Sequence, residues 1–136
     1  MSKRSQNTPE ESAQMRDTVV NALEDAKGVD IRALDVRKLT DITDYMVVVS
    51  GTSERHVRTM AERVSEFMLA EGWKPLGVEG EETGEWVLSD FVDVVVHIMR
   101  EKTRTHYDLE GLWDETLAGL EKPGELALGD SAADGP

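Results

Sequence analysis

The chain has 136 residues, with 28 acidic and 15 basic side chains, a net charge of −13 and no cysteine. This length predicts one domain with a hydrophobic core, and the negative charge disfavours nucleic-acid backbones and anionic lipids as first partners. The missing cysteines exclude disulfides, thiol catalysis and thiolate metal sites, and no apolar stretch reaches the roughly 20 residues of a membrane span. Residues 1–14 lack the apolar core of a secretory signal, so we expect a cytoplasmic protein.

Two amphipathic helices are predicted in the first half of the chain. Thr8-Pro9-Glu10-Glu11 has the pattern of a capping box with proline at the first helical position. An apolar stripe at intervals of three and four follows, and Gly28 is expected to end this helix in the left-handed conformation. The second helix is predicted to begin after Ser50-Gly51-Thr52-Ser53, to carry an apolar face from Val57 to Met68, and to end at Gly72.

Short extended segments surround these helices, at residues 31–39, 45–49, 73–78, 85–89 and 94–99. The segments 45–49 and 94–99 are continuous apolar runs, which are typical of interior strands that are covered on both faces. The last two segments are predicted to pair as an antiparallel hairpin at the centre of the sheet. The order of elements therefore predicts an α/β fold, a single domain with a mixed sheet of about five strands flanked by helices.

The C-terminal part is less regular. Residues 100–106 are interpreted as a loop, and Asp108 is expected to cap one helical turn that seals the open end of the sheet. Leu109, Leu112 and Trp113 fall on one side of that turn. From Thr116 onward, small residues, proline and aspartate dominate without sustained periodicity. We therefore divide the chain into a disordered arm (1–8), a folded domain (9–116) and a disordered acidic tail (117–136).

The sequence contains few groups that could perform chemistry. The histidines have no second ligand at metal-binding spacing: His56, His97 and His106. For His97, inside a strand, a hydrogen-bonded structural role is favoured over a catalytic one. The segment 50–53 lacks the lysine of a phosphate-binding loop, and the spacing of Asp90 and Asp93 is typical of a turn. No catalytic residue, metal or cofactor is predicted.

The segment from Glu85 to Phe91 is the best candidate for a binding site. Two-residue periodicity places Trp86, Leu88 and Asp90 on one face of the strand, and Val87, Ser89 and Phe91 on the other. Either both aromatic rings belong to the core, or the first face is a protein interface whose carboxylate selects a basic partner. The residues by themselves favour neither interpretation.

Several motifs occur in a fixed order between about Met15 and Asp114. They are Leu34-Asp35-Val36, Ile42-Thr43-Asp44-Tyr45, Ser50-Gly51-Thr52-Ser53, Lys74-Pro75-Leu76-Gly77-Val78-Glu79-Gly80, Trp86-Val87-Leu88, Asp93-Val94-Val95-Val96-His97 and Tyr107-Asp108-Leu109-Glu110. In this combination the chain closely resembles the ribosomal silencing factor family, also called Iojap-like or RsfS.

The resemblance implies a translation factor without enzymatic activity or cofactor. The implied fold is nucleotidyltransferase-like without the catalytic carboxylates. The implied partner is ribosomal protein uL14 of the large (50S) subunit, whose occupation blocks association with the small (30S) subunit and represses translation. The partner-facing residues implied by the motifs are Trp86, Leu88, Asp90 and Phe91, with Tyr107 and Asp108 as additions. Since exposed apolar patches often find partners, we also expect a weak homodimer of the free protein.

The chain also departs from the family pattern. Val92 stands where members usually have glycine, so the turn before Asp93 is expected to differ in shape. Many members have His-Pro near Arg100-Glu101 and phenylalanine at position 106, so the contacts of residues 100–106 are not predicted. Three alternatives stay open: a cryptic metal-dependent nucleotidyltransferase-like enzyme, a generic acidic adaptor that binds basic proteins, and a homo-oligomer with a purely structural use.

Overall fold

A five-stranded mixed sheet and three helices make up the part of the chain that the computed structural model describes, residues 7–111. In chain order the elements are α1 (Pro9–Asp25), β1 (Val29–Asp35), β2 (Tyr45–Gly51), α2 (Glu54–Ala70), β3 (Gly77–Glu79), β4 (Trp86–Asp90), β5 (Val94–Arg100) and α3 (Glu101–Tyr107). The predicted α/β class, with a mixed sheet of about five strands flanked by helices, is confirmed. The disorder predicted for the arm and for the tail falls largely outside the described residues, as do Leu112 and Trp113. Among the described helices, none has the length and apolar character to cross a membrane.

The start of α1 follows the sequence prediction, whereas its end does not. Thr8 Oγ1 accepts a hydrogen bond from the Glu11 N–H at 3.1 Å, and the Glu11 carboxylate accepts one from the Thr8 N–H at 2.8 Å, which completes the capping box. The left-handed residue after the helix is Lys27, with φ of 63°, and not Gly28. Gly28 meets a packing requirement, since a Cβ there would lie 2.6 Å from a methyl group of Val49.

Helix α2 matches the predicted pattern at both ends. The Ser53 hydroxyl accepts a hydrogen bond from the His56 N–H at 3.0 Å, and Gly72 adopts φ of 92° after the last turn. Its buried residues are Val57, Met60, Ala61, Val64 and Met68. This apolar face packs, together with that of α1, against one face of the sheet.

The strand order in the sheet is β1-β2-β5-β4-β3. Strands β2 and β5 are parallel, with Tyr45 opposite Val94, and every residue of β2 is buried. Strands β4 and β5 form the predicted antiparallel pair, in which Trp86 lies opposite Met99 and Asp90 opposite Val95. Strand β5 is therefore the central strand, and side chains of β4 and β5 that lie opposite one another point to the same face.

The two faces of the sheet are covered to different extents. Helices α1 and α2 enclose the main core on the first face. A smaller apolar cluster lies on the second face, formed by Leu34, Val36, Met46, Val48 and Met99 and bordered by Leu39, Trp86 and Leu109. Helix α3 and the turn after it cover only part of this second face. The side chains that β4 presents on this second face therefore stay partly exposed.

Helix α3 replaces the loop that was predicted for residues 100–106. The helix has only seven residues, most of them polar, and Arg100 at its N-cap makes no side-chain capping bond, so neither helix-start nor periodicity rules identify it. It ends at Asp108, which adopts the left-handed conformation with φ of 46°. The Asp108 carboxylate accepts a hydrogen bond from the Gly111 N–H at 3.2 Å, so the predicted cap of the following turn is present.

Candidate protein-binding site

Strand β4 presents its side chains alternately to the two faces of the sheet. Trp86, Leu88 and Asp90 are half-buried on the second face, whereas Val87 and Ser89 are buried beneath the helices. The alternation predicted from the sequence is therefore confirmed for this strand. Val95 lies opposite Asp90 on the same face and is also half-buried.

The indole of Trp86 is held in place by two aromatic neighbours. Its Nε1–H donates a hydrogen bond to His97 Nδ1 at 3.0 Å. The ring of Tyr107, whose residue is 54% exposed, lies with its centroid 4.9 Å from that of the indole at an interplanar angle of 48°. Such tilted pairs are favourable arrangements of aromatic rings. Trp86 is thus a large, partly exposed side chain whose orientation is set before any partner binds.

His97 has the structural role that its position in a strand suggested. Burial lowers the pKa of His97 to about 4, so the imidazole is neutral at physiological pH. In the neutral ring Nδ1 is free to accept the Trp86 hydrogen bond, and the proton is on Nε2. The sequence did not predict the hydrogen bond to Trp86, because that bond depends on how β4 pairs with β5. In the observed register His97 lies opposite Leu88 and therefore diagonally next to Trp86.

Asp90 forms the turn between β4 and β5. Its carboxylate accepts a hydrogen bond from the Val92 N–H at 2.8 Å, in an Asx-type turn. Val92 adopts φ of 73°, so the β-branched residue takes the left-handed conformation that glycine reaches without strain. Next to this turn the Leu76 N–H donates to the Asp90 carbonyl oxygen at 2.6 Å, and Leu76 is 62% exposed. The sequence did not identify Leu76 as an exposed apolar residue next to the site, because short irregular segments carry no periodicity.

Of the remaining predicted site residues, Phe91 is buried in the core, whereas Tyr107 and Asp108 are exposed. Phe91 does not join Trp86, because its side chain points to the helix-covered face and is only 3% exposed within the main core. Tyr107 and Asp108 are both exposed, and Asp108 lies at the end of α3, directly after Tyr107. We name the surface formed by Trp86, Leu88, Asp90, Val95 and Tyr107 the aromatic face. Phe91 is therefore a core residue, and the correction follows from the same two-residue alternation that exposes Trp86.

Acidic side chains lie on and next to the aromatic face. Glu79 on edge strand β3 lies opposite Leu88 on the same face of the sheet, whereas the carboxylate of Glu85, directly before Trp86, pairs with Arg100. A hydrogen bond from the Thr103 hydroxyl, together with the nearby guanidinium of Arg100, lowers the pKa of Glu85. The carboxylate of Glu85 is therefore ionised at neutral pH. An apolar and aromatic surface with an acidic border is complementary to a basic protein patch.

Other candidate groups for chemistry are used in local structure. His56 Nδ1 accepts from the Thr52 N–H at 2.9 Å, and its Nε2 lies 2.9 Å from the Ala26 carbonyl oxygen, so this ring links the start of α2 to the end of α1. Ser53 caps α2, as described above. Within residues 7–111 there is no group of three or more acidic, histidine or cysteine residues that could hold a metal ion.

Comparisons with known proteins point to a single family. Residues 9–133 match a protein-family model described as "Ribosomal silencing factor during starvation". The ribosomal silencing factor RsfS of Chromobacterium violaceum is 47% identical over 94 residues, which cover 69% of this chain and 77% of that protein. A mouse protein named "Mitochondrial assembly of ribosomal large subunit protein 1" is 32% identical over 112 residues, which cover 76% of this chain and 49% of the mouse protein.

The fold is shared with solved structures as well. A crystal structure of a protein from Chromobacterium violaceum superposes with a TM-score of 0.73 at 41% sequence identity. The match covers 88% of this chain and 95% of the other. Family model, sequence relatives and structure agree over most of the chain. This protein therefore belongs to the ribosomal silencing factor family.

Proposed function

We propose that this protein binds ribosomal protein uL14 on the large ribosomal subunit through the aromatic face. By occupying that position it would block association with the small subunit, repress translation and act in the cytoplasm. The observation that carries the proposal is the orientation of Trp86, which is fixed by His97 and Tyr107 while part of the indole stays exposed. Family membership supports a ribosomal target, and the name of the mouse relative refers to the large subunit.

The fixed indole favours tight binding. Aromatic side chains in central, well-packed positions contribute most of the binding energy in many interfaces. Ordering a flexible side chain on binding costs about 0.5–1.5 kcal/mol. Trp86 is already held by a hydrogen bond and a ring contact, so much of that cost is met during folding. The remaining exposed indole surface is then available to a partner pocket.

Charge supports a protein partner within the ribosome. The chain has a net charge of −13, and Glu79 and Asp90 lie at or beside the aromatic face. Ribosomal proteins are generally basic, whereas ribosomal RNA is a dense array of phosphates. The same negative field therefore attracts the chain to an exposed basic protein and repels it from the surrounding RNA.

A steric block needs no chemistry beyond binding. A folded domain of about 100 residues has a radius of gyration of about 13 Å. A body of that size on the joining surface of the large subunit would keep the two subunits apart. The mechanism requires the protein to be bound to free large subunits and to be absent from joined ribosomes.

Sucrose-gradient sedimentation tests the proposal. Purified large subunits are incubated with the protein before small subunits are added, and the joined peak should decrease while the protein co-sediments with large subunits. Leu69→Ser is the matched control, because this exposed leucine lies on α2 and away from the aromatic face. The control should block joining as well as the unmodified protein does. Co-sedimentation mainly with small subunits would contradict the proposal.

The same face offers a site for weak self-association of the free protein. An exposed aromatic patch can bury itself against a second copy in a symmetric dimer. Sedimentation equilibrium over a range of concentrations tests this part of the proposal. We expect a monomer–dimer equilibrium that Trp86→Ala shifts toward monomer, and a pure monomer at high concentration would contradict it.

A further inference from the structure

The side chain of Arg104 joins four segments of the chain although it lies on a short helix. It is 8% exposed, and its Nη2 donates to Glu110 Oε2 at 2.7 Å while its Nε donates to Oε1 at 3.1 Å. Its Nη1 donates to Ser50 Oγ at 3.0 Å and to the Val29 carbonyl oxygen at 3.4 Å. One guanidinium therefore connects α3, the turn at 109–111, the end of β2 and the start of β1.

Stability alone does not account for this buried ion pair. Removing two charges from water is costly, and replacing a buried pair with apolar residues is often neutral or stabilising. A guanidinium, however, donates in a rigid planar fork, so each bond fixes direction as well as distance. Helix α3 needs contacts that fix its orientation, because it has only seven residues and no side-chain N-cap bond.

The spacing of Arg104 and Glu110 in the sequence shows which backbone conformation their ion pair stabilises. Arg104 and Glu110 are six positions apart, which in a continuous helix turns their side chains by about 600° and places them on different faces. They meet because the helix is interrupted at Asp108, whose φ is 46°. The ion pair therefore favours the break at Asp108 over a helix that continues through it. Tyr107 and Asp108 lie between the two charged residues.

We propose that Arg104 and Glu110 are positioning residues for the aromatic face. They hold Tyr107 against Trp86 and fix Asp108 beside it, so that both are presented to the partner in one arrangement. This inference rests on the proposed function of the aromatic face. Leu109 supports the arrangement, because it packs on the apolar cluster of the second sheet face and anchors the turn between the two charges.

The variant Arg104→Met/Glu110→Met tests the proposal. Removing both charges leaves no buried charge without a partner, so the domain is expected to fold and keep its circular dichroism spectrum. NMR should show loss of the nuclear Overhauser contacts between Tyr107 and Trp86 and a shift of the Trp86 indole N–H resonance. Affinity for purified large subunits should fall roughly tenfold, as expected when an interface tyrosine loses its position.

A matched control removes an ion pair elsewhere. Arg63 pairs with Asp25 between α2 and α1, on the helix side of the sheet. Arg63→Met should leave both the Tyr107 contacts and the affinity within about twofold of the unmodified protein. A folded Arg104→Met/Glu110→Met variant that keeps the Tyr107–Trp86 contacts, or binds large subunits normally, would overturn the positioning role.

A milder variant covers the case in which the first one does not fold. Arg104→Lys keeps the charge but lacks the fork that reaches Glu110 and Ser50 together. It should weaken the Tyr107–Trp86 contacts and the affinity in the same direction, and unchanged contacts would refute the role. Trp86→Ala in parallel separates the two proposals: if it binds normally, the aromatic face is not the binding site. The NMR contacts still decide whether Arg104 positions Tyr107.

Discussion

Replacing Trp86 with alanine separates the folding role of this side chain from its proposed binding role. The indole is only half-buried, so its removal forfeits part of the roughly 3–5 kcal/mol that a fully buried tryptophan loses. It also leaves His97 Nδ1 without its donor, which costs about 1 kcal/mol. We therefore expect a loss of about 2–3 kcal/mol in unfolding free energy, which leaves a domain of typical stability folded.

Trp86→Ala should lose a similar amount of binding free energy, and this loss is measured separately from the loss of stability. Truncation of a central aromatic residue costs about 2 kcal/mol or more, which is about a thirtyfold rise in Kd. Urea unfolding followed by far-ultraviolet circular dichroism gives the stability. Fluorescence anisotropy of labelled protein titrated with purified large subunits gives the affinity. Both are measured at a temperature where each variant is more than nine-tenths folded.

A second tryptophan provides the control. Trp73 is also half-buried, but it packs against the core beneath the helices. Trp73→Ala should lower stability by a similar amount and leave the affinity for large subunits unchanged. If Trp86→Ala folds and binds as tightly as the unmodified protein, the indole does not contact the partner. The aromatic face would then not be the binding surface.

Three further outcomes are expected. Asp90→Lys should stay folded at a cost of about 1 kcal/mol but fail to prevent subunit joining in gradients, whereas Asp90→Asn, which keeps the Val92 bond, should lose less activity. Val92→Gly should raise the unfolding free energy by about 1 kcal/mol in urea titrations, because glycine adopts a φ of 73° without strain. The pKa of His97 is about 4 in the folded state against 6.5 in the unfolded chain, so its stabilising contribution is complete above pH 6.5 and is lost as the pH falls toward 4. That loss should reach about 3 kcal/mol, and His97→Gln should remove this part of the pH dependence; an equal slope in the variant would contradict it.

The sequence predicted those elements whose cause is local. The capping box at Thr8, the apolar face of α2 and the continuous run of β2 each depend on residues within one segment. Gly28 and α3 were interpreted wrongly because their causes are distant. Gly28 is required by Val49 on a neighbouring strand, and α3 is held by Arg104 bonds to β1 and β2.

The candidate site shows the same division. Alternation along β4 correctly placed Trp86, Leu88 and Asp90 on one face, since that pattern is a property of the strand itself. The contacts of Trp86 with His97 and Tyr107 come from strand pairing and from the path of α3, which local patterns do not contain. The resemblance included Phe91 in the site, but the two-residue alternation placed it on the face opposite to Trp86, and the structure shows that this face is the core.

The parallel pairing of β2 with β5 has a consequence for biosynthesis. Tyr45 pairs with Val94, so about 50 more residues must be synthesised after β2 before its central partner strand, β5, exists. At about 5–20 residues per second this interval lasts several seconds, during which a strand that is fully buried in the folded protein has β1 as its only finished neighbour in the sheet. Non-local pairing of this kind also slows folding. The nascent chain is therefore expected to expose an aggregation-prone segment and to be a client of chaperones at the ribosomal exit tunnel until β5 emerges.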